Sequence, residues 1–255
     1  MSDVVFVETR HSYDSYTDVR SLIRLSGFPV CYVDEVDAYD GRTYICITRN
    51  GEWPEGGWSG ATSRIIHWSL EWAEYAPLPG VEETWVSDKW WAQRTNARFV
   101  PLGSHPGLAD NSGHDLPKQY DLAMLAYMGP PRRQQVANDC LAKGLTLAPN
   151  GWAEERHRIL RQTRMVAHVH QHEGVHTVAP SRFALAAAYW LPVLTETLAD
   201  AGIFAGHVMM SDQAHYADLA KLWIGSEARL GDFGYALHHL LCVEHGFRKV
   251  VDAAV

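Results

Sequence analysis

The stretch Arg164–Glu196, RMVAHVHQHEGVHTVAPSRFALAAAYWLPVLTE, decides the fold. Its apolar opening, Met165–His170, reads as a buried strand, and the polar, histidine-rich segment after it as a loop. Arg182–Tyr189 follows as a short helix with an arginine in its first turn, and Pro192–Thr195 as a second strand. Such a strand–loop–helix–strand unit sets a loop and a helix N-terminus at the carboxyl edge of a parallel sheet, where open α/β folds bind ligands. A helix N-terminus offers unpaired N–H groups and a partial positive charge, so anions settle there. Arg182 adds a planar fork matched to phosphate oxygens. The stretch therefore predicts a phosphate-bearing ligand.

The same grammar extends in both directions. Tyr120–Met128 reads as a strand ending at Gly129, and Arg132–Lys143 as a helix stopped by Gly144. Leu145–Ala148 is a strand, PNGW (149–152) a loop, and Ala153–Thr163 a helix. Beyond the central unit, His207–Met210 is a strand, and Ala214–Ala253 is mostly helical. Toward the N-terminus, Val4–Val7, Val30–Val33, Tyr44–Thr48, Ile65–Leu70, Thr84–Ser87 and Arg98–Leu102 read as strands, with helices over Thr17–Ser26 and Lys89–Thr95. Ser104–Gln119, rich in Pro, Gly, Asn and Asp, is the best linker. The pattern predicts an α/β protein of two Rossmann-like halves facing a cleft, the first thin in helices. A Gly/Trp/Pro loop after the third strand is expected to replace one helix.

Composition narrows the function. The chain has 255 residues, 47% hydrophobic and 20% charged, enough for a large core. A net charge of −8 lowers the expectation of duplex DNA as a partner. The four cysteines (Cys31, Cys46, Cys140, Cys242) include no CxxC pair and suit a reducing compartment. No apolar run approaches the ~20 residues of a membrane span. The N-terminus goes directly into a strand with no signal-like segment, so the cytoplasm is the expected location.

Candidate side chains follow from position. Gly129, Arg132 and Arg133 stand at a strand-to-helix turn on the same predicted edge as Arg182. Trp152 closes a strand-end loop, either anchoring the next helix or bordering a nucleobase. His168, His170, His172 and His176 have metal-ligand character, but no Asp or Cys stands at a matching spacing, so no metal is expected. His170 could instead touch a sugar or phosphate. Trp58, His67, Glu71 and Trp72 are candidates for an acceptor side, with Trp68 read as core.

Residues Tyr120–Phe204 resemble the C-terminal domain of group 1 glycosyltransferases of the GT-B type. The resemblance rests on YDLAMLAYMGPPRR (120–133), APNGWAEERHRILRQTRMVAHVHQ (148–171) and APSRFALAAAYWLPVLTE (179–196). It implies a reduced acceptor-side domain over residues 1–110 and a nucleotide-sugar-binding domain with C-terminal helices over 111–255. It implies transfer of a sugar from a nucleotide-sugar, expected to be UDP-linked, to a hydroxyl of a saccharide or small molecule. The alternatives are the same chemistry on hydroxymethylated bases of DNA, as in compact phage enzymes, and a non-catalytic nucleotide-sugar-binding protein. No cofactor is expected.

Carried onto this chain, Gly129 matches the family's first-strand glycine, Arg132 and Arg133 its diphosphate-facing basic residues, and Arg182 its helix arginine. An inverting enzyme needs a general base near the acceptor hydroxyl. In some GT-B enzymes it follows the first strand, where Glu8, His11 and Asp14 stand. The chain departs from the family at its Glu-x7-Glu pair, which falls on Thr177 and Leu185, and at a glycine that is Trp190 here. Without that pair, either the ribose is held differently, with Glu173 or Ser181 as candidates, or the donor is atypical, or the domain no longer catalyses.

Overall fold

Val4–Glu8 (β1) is buried along its whole length, which requires a strand covered on both faces. In the computed structural model, which describes residues 3–8, 17–47, 58, 60–70, 80–109, 116–174 and 177–255, it is the second strand of a six-stranded parallel sheet. The first half runs β1, α1 (Thr17–Leu25), β2 (Val30–Tyr32), β3 (Thr43–Cys46), β4 (Arg64–Ser69), β5 (Glu83–Val86), α2 (Lys89–Thr95) and β6 (Arg98–Phe99). Its strand order is β2-β1-β3-β4-β5-β6.

The second half runs β7 (Tyr120–Ala123), α3 (Pro131–Ala142), α4 (Ala153–Arg161), β8 (Thr163–His168), α5 (Pro180–Ala188), β9 (Val193–Glu196) and β10 (Met209–Ser211). Its parallel order is β10-β9-β8-β7. The strand expected over Leu145–Ala148 is reduced to one bridge, Leu122 to Leu147. With that bridge counted, both halves place their second strand on one side of the first and their third on the other. Each therefore has a switch point, at β1/β3 and at β7/β8, and ligands bind at such points beyond the carboxyl ends of strands.

Helices α6 (Tyr216–Ile224) and α7 (Glu227–His238) follow, with α7 continuing through a wider-wound turn to Glu244. The last helix, α8 (Phe247–Ala254), returns to the first sheet. Its buried residues Phe247, Val250, Val251 and Ala254 recur at helical spacing on one face. Phe247 stacks on Trp68 (5.7 Å between centroids, 10°) and also packs on Phe6 and Phe28. Arg98 Nη1 holds the Ala254 carbonyl at 2.6 Å. The first half thus takes a covering helix from the far end of the chain. The Gly/Trp/Pro loop expected in that role lies mostly outside the described residues.

The two passages between the halves run side by side. Ser104 N–H donates to Leu241 O (2.7 Å), and Phe247 N–H donates to Ser104 O (3.0 Å). A Cβ on Gly103 would stand 1.9 Å from His245 O, so only glycine allows this approach. Ser104 Oγ donates to Ala184 O of α5, and Leu108 and Ala109 are buried. Ser104, Leu108 and Ala109 at the front of the predicted linker are therefore packed into the core, with Pro106 and Gly107 exposed between them. One apolar cluster runs through both halves, from Phe6, Ile45 and Trp68 to Val166, Phe183 and Leu241.

Candidate functional site

The carboxyl edge of the second sheet gathers the polar side chains that the sequence scattered. Pro130 and Pro131 lead the chain from β7 into α3 without asking for an N–H. Gly129 lies in the turn just before them. Arg132 and Arg133 are neighbours in sequence, yet a helix turns them about 100° apart, and they do different things. Arg132 reaches Glu196 at the end of β9, Nη2 to Oε1 at 2.5 Å and Nε to Oε2 at 3.4 Å. Arg133 is 5% exposed and donates to the carbonyls of Val169 (3.0 Å) and Tyr127 (2.8 Å). It braces the ends of β8 and β7, where the sequence suggested a phosphate contact. Burial lowers its pKa against the opposing effect of Glu196.

At the end of β8, His168 is buried with Nδ1 2.9 Å from Thr195 Oγ1. The threonine hydroxyl donates its one proton to Glu196 O, so Nδ1 of His168 carries the hydrogen toward Thr195. Burial, then the charges of Arg182, His170 and Arg133, push the His168 pKa well down. The ring is neutral. His170 is buried too; its N–H donates to Glu196 Oε2 (2.6 Å), and its Nε2 lies 3.3 Å from Thr197 O. Among the described residues, no group of three His, Cys, Asp or Glu side chains is arranged to hold a metal.

Ser181 and Arg182 are half-buried in the first turn of α5. Thr177, just before it, is 6% exposed, and Leu185 is 1% exposed in the core. Neither position of the missing carboxylate pair offers an acid. Glu173 is exposed on a turn. Trp190 has φ 57°, the left-handed backbone that the family's glycine would adopt freely. Its indole stacks on His238 at 3.6 Å, and its carbonyl closes on Gly234, where a Cβ would stand 2.2 Å away.

Trp152 is 39% exposed, and the Arg156 guanidinium lies 4.6 Å from its ring centroid. Arg156 is itself buried and pairs with Asp18 of α1 at 2.6 Å; His157 Nε2 approaches the same carboxylate at 3.2 Å. This ion pair joins the two halves. A second junction has Val178 N–H donating to Asp88 Oδ2 at 2.9 Å. Neither Asp18 nor Asp88 stands out in the sequence, because their partners lie 138 and 90 residues away. A cleft of about 620 Å³ opens between α1 and the start of α4, lined by Thr17, Ser21, Arg24, Leu108, Glu154 and His157.

On the first half, Glu8 ends β1, is 6% exposed and accepts from Arg24 at 2.9 Å. His11, Asp14, Glu71 and Trp72 lie outside the described residues. Trp58 (9%) and His67 (3%) are buried at the first sheet. Trp58 packs with Val5, Val7, Tyr44 and Ile65. Both side chains are buried, where the sequence reading expected them on an acceptor side. Trp68 is core as expected.

No protein-family model matches the chain, and no curated protein matches its sequence. Solved structures do match. A glycosyltransferase involved in avilamycin A biosynthesis, AviGT4, aligns over 98% of this chain and 96% of its own, with TM-score 0.63 and 12% identity. The β-glucosyltransferase (BGT) of phage T4, solved with its UDP-glucose substrate, aligns over 99% and 97%, with TM-score 0.52 and 11% identity. The chain has the GT-B fold. The resemblance read over Tyr120–Phe204 thus extends, as a GT-B fold, over nearly the whole chain. In this GT-B frame the Arg132–Glu196 cluster and the start of α5 stand at the second sheet's carboxyl edge. Glu8 ends β1 of the first.

Proposed function

We propose that the chain is a glycosyltransferase that moves a sugar from a nucleotide-sugar, expected to be UDP-linked, to an acceptor hydroxyl. The observation that carries this reading is the carboxyl edge of the second sheet. There Arg132 and Arg182 open two helices whose N-terminal N–H groups also favour anions. As the glycosidic bond to the diphosphate breaks, negative charge grows on the leaving oxygens. Charge-assisted hydrogen bonds from the arginines stabilise that charge, which is the electrostatic part of catalysis. Trp152 is the candidate wall for the base, and Ser181, His170 or Glu173 for ribose and sugar hydroxyls. In the first half His11 or Asp14, which follow Glu8 in the sequence, would take the acceptor proton. Closure of the halves over the donor would exclude water and suppress hydrolysis. All four cysteines are free thiols, in keeping with the reducing cytoplasm.

The cleft between α1 and α4 favours a neutral, hydroxyl-rich acceptor. Among the described lining residues the one arginine, Arg24, is already paired with Glu8, and Glu154 adds a carboxylate. The second reading is transfer to a modified DNA base. What favours it is near-complete mutual coverage with the phage T4 enzyme, described as a DNA-modifying β-glucosyltransferase. The net charge of −8 weighs against a polyanion.

A thermal-shift screen of nucleotide-sugars, with and without Mn2+, tests the donor. A ligand at 100-fold its Kd adds about 2.7 kcal/mol to the folded state, a melting-point rise of about 5–10 °C for a chain of this size. If no nucleotide-sugar moves the transition and none is hydrolysed, the reading fails. Binding without turnover would identify a non-catalytic binding protein. Transfer assays on oligosaccharides and on DNA with hydroxymethylated bases then separate the two acceptor classes.

A further inference from the structure

Glu196 ends β9 with 2% of its surface exposed, a place where a carboxylate persists only if its oxygens are partnered. Oε1 accepts from Arg132 Nη2 at 2.5 Å. Oε2 accepts from the His170 backbone N–H at 2.6 Å and from Arg132 Nε at 3.4 Å. Three segments meet at this one carboxylate: the first turn of α3, the chain just past β8, and the end of β9. The Arg132 side chain keeps 18% of its surface exposed, while its Nε and Nη2 are turned to Glu196. Its Nη1 takes no part in the pair.

We propose that Glu196 is a positioning residue, which holds Arg132 and the segment at His170 ready for the pyrophosphate portion of a nucleoside diphosphate. The proposal rests on the nucleotide-sugar reading above. Two effects of the carboxylate oppose each other. Its charge lowers the attraction of the edge for anions. Its two-point grip removes the rotamer freedom that an arginine otherwise loses on binding. Geometry favours the grip: Arg132 cannot turn away without leaving a buried carboxylate half-satisfied. Being buried, Glu196 acts on a ligand only through its partners.

UDP binding by titration calorimetry across a double-mutant cycle tests this. Glu196→Gln keeps the shape and can still accept from His170, but its amide N–H2 would confront the N–H groups of Arg132. It is expected to weaken UDP about tenfold, the scale of one charge-assisted hydrogen bond. Arg132→Ala is expected to weaken UDP at least as much, and the double variant no further than Arg132→Ala alone. Glu196→Asp keeps the charge but draws it back by one methylene, and it is expected to weaken binding as well. A general loss of structure would instead act on both backgrounds. Wild-type or tighter affinity in Glu196→Gln, wild-type affinity in Glu196→Asp, or penalties that multiply in the double variant would each overturn the positioning role. Failure of the wild-type chain to bind UDP or any UDP-sugar overturns the nucleotide-sugar reading itself, and this role with it.

Discussion

At the carboxyl edge of the first sheet stand Glu8, Ser69 and Asp88; at that of the second stand His168, Glu196 and, on the helix starts beside it, Arg132 and Arg182. With the Leu122–Leu147 bridge counted, the first five strands follow the same order in both halves, so topology does not account for the difference. Side-chain chemistry does. The second edge is cationic, with its buried members tied by short hydrogen bonds before any ligand arrives. The first edge is acidic and hydroxylated, and Glu8 is the only one of its three sequence-predicted catalytic residues within the described structure. One scaffold, repeated, carries a cationic edge in one half and an acidic, hydroxylated edge in the other.

The comparison can be tested from several sides. Phe247→Ala removes the ring by which α8 covers the first sheet. The expected loss is about 3–5 kcal/mol by urea denaturation, as for other buried aromatic truncations. A loss below about 1 kcal/mol would mean that the first half does not depend on the returning helix. Arg156→Ala leaves Asp18 buried without its main partner; because His157 remains at 3.2 Å, the expected cost is at the low end of such losses, about 3 kcal/mol. Next in size, Arg182→Ala should weaken UDP by about 1.5–3 kcal/mol, whereas Glu8→Gln should leave UDP affinity unchanged and lower transfer. Equal effects of the two on UDP would erase the division between the edges.

The smallest effect is in pH. His168 and His238 are buried with lowered pKa values, burial being the first cause for each. Below about pH 6.5 the unfolded chain binds protons that these rings refuse in the folded state. Stability is therefore complete above that pH and falls as pH drops, by at most about 1.4 kcal/mol per pH unit for each ring. His168→Gln should flatten the slope. An unchanged slope would mean that His168 titrates normally.

Local signals were legible where they were complete. The helix read over Lys89–Thr95 is present with those limits, because Asp88 caps its start and Asn96 ends it with φ 55°. Most strands were recovered because each is short and apolar between turn residues, but Arg98–Leu102 is reduced to Arg98–Phe99, Tyr120–Met128 to Tyr120–Ala123, and Leu145–Ala148 to a single bridge. In the site, Arg132 and Arg182 were legible from their place at strand-to-helix turns. Arg133 was not distinguishable from Arg132, since only the built helix shows which of the two faces the sheet. Glu196 was read as the residue after a strand. Its sequence signal was faint: a charged residue closing an apolar run at a sheet edge. Its partner stands 64 positions away.

Sequence by itself determined the repeated α/β grammar, the arginines at helix starts and the absence of the family's carboxylate pair, because hydrophobic period, turn residues and side-chain type are local properties. Tertiary structure alone decided that α8 covers the first sheet, that Asp18 and Arg156 join the halves, and that Trp58 and His67 are buried. It also decided that the stretch Arg164–Glu196 ends on a carboxylate gripping Arg132. Those are long-range pairings, and burial leaves each charged group stable only where a distant partner meets it.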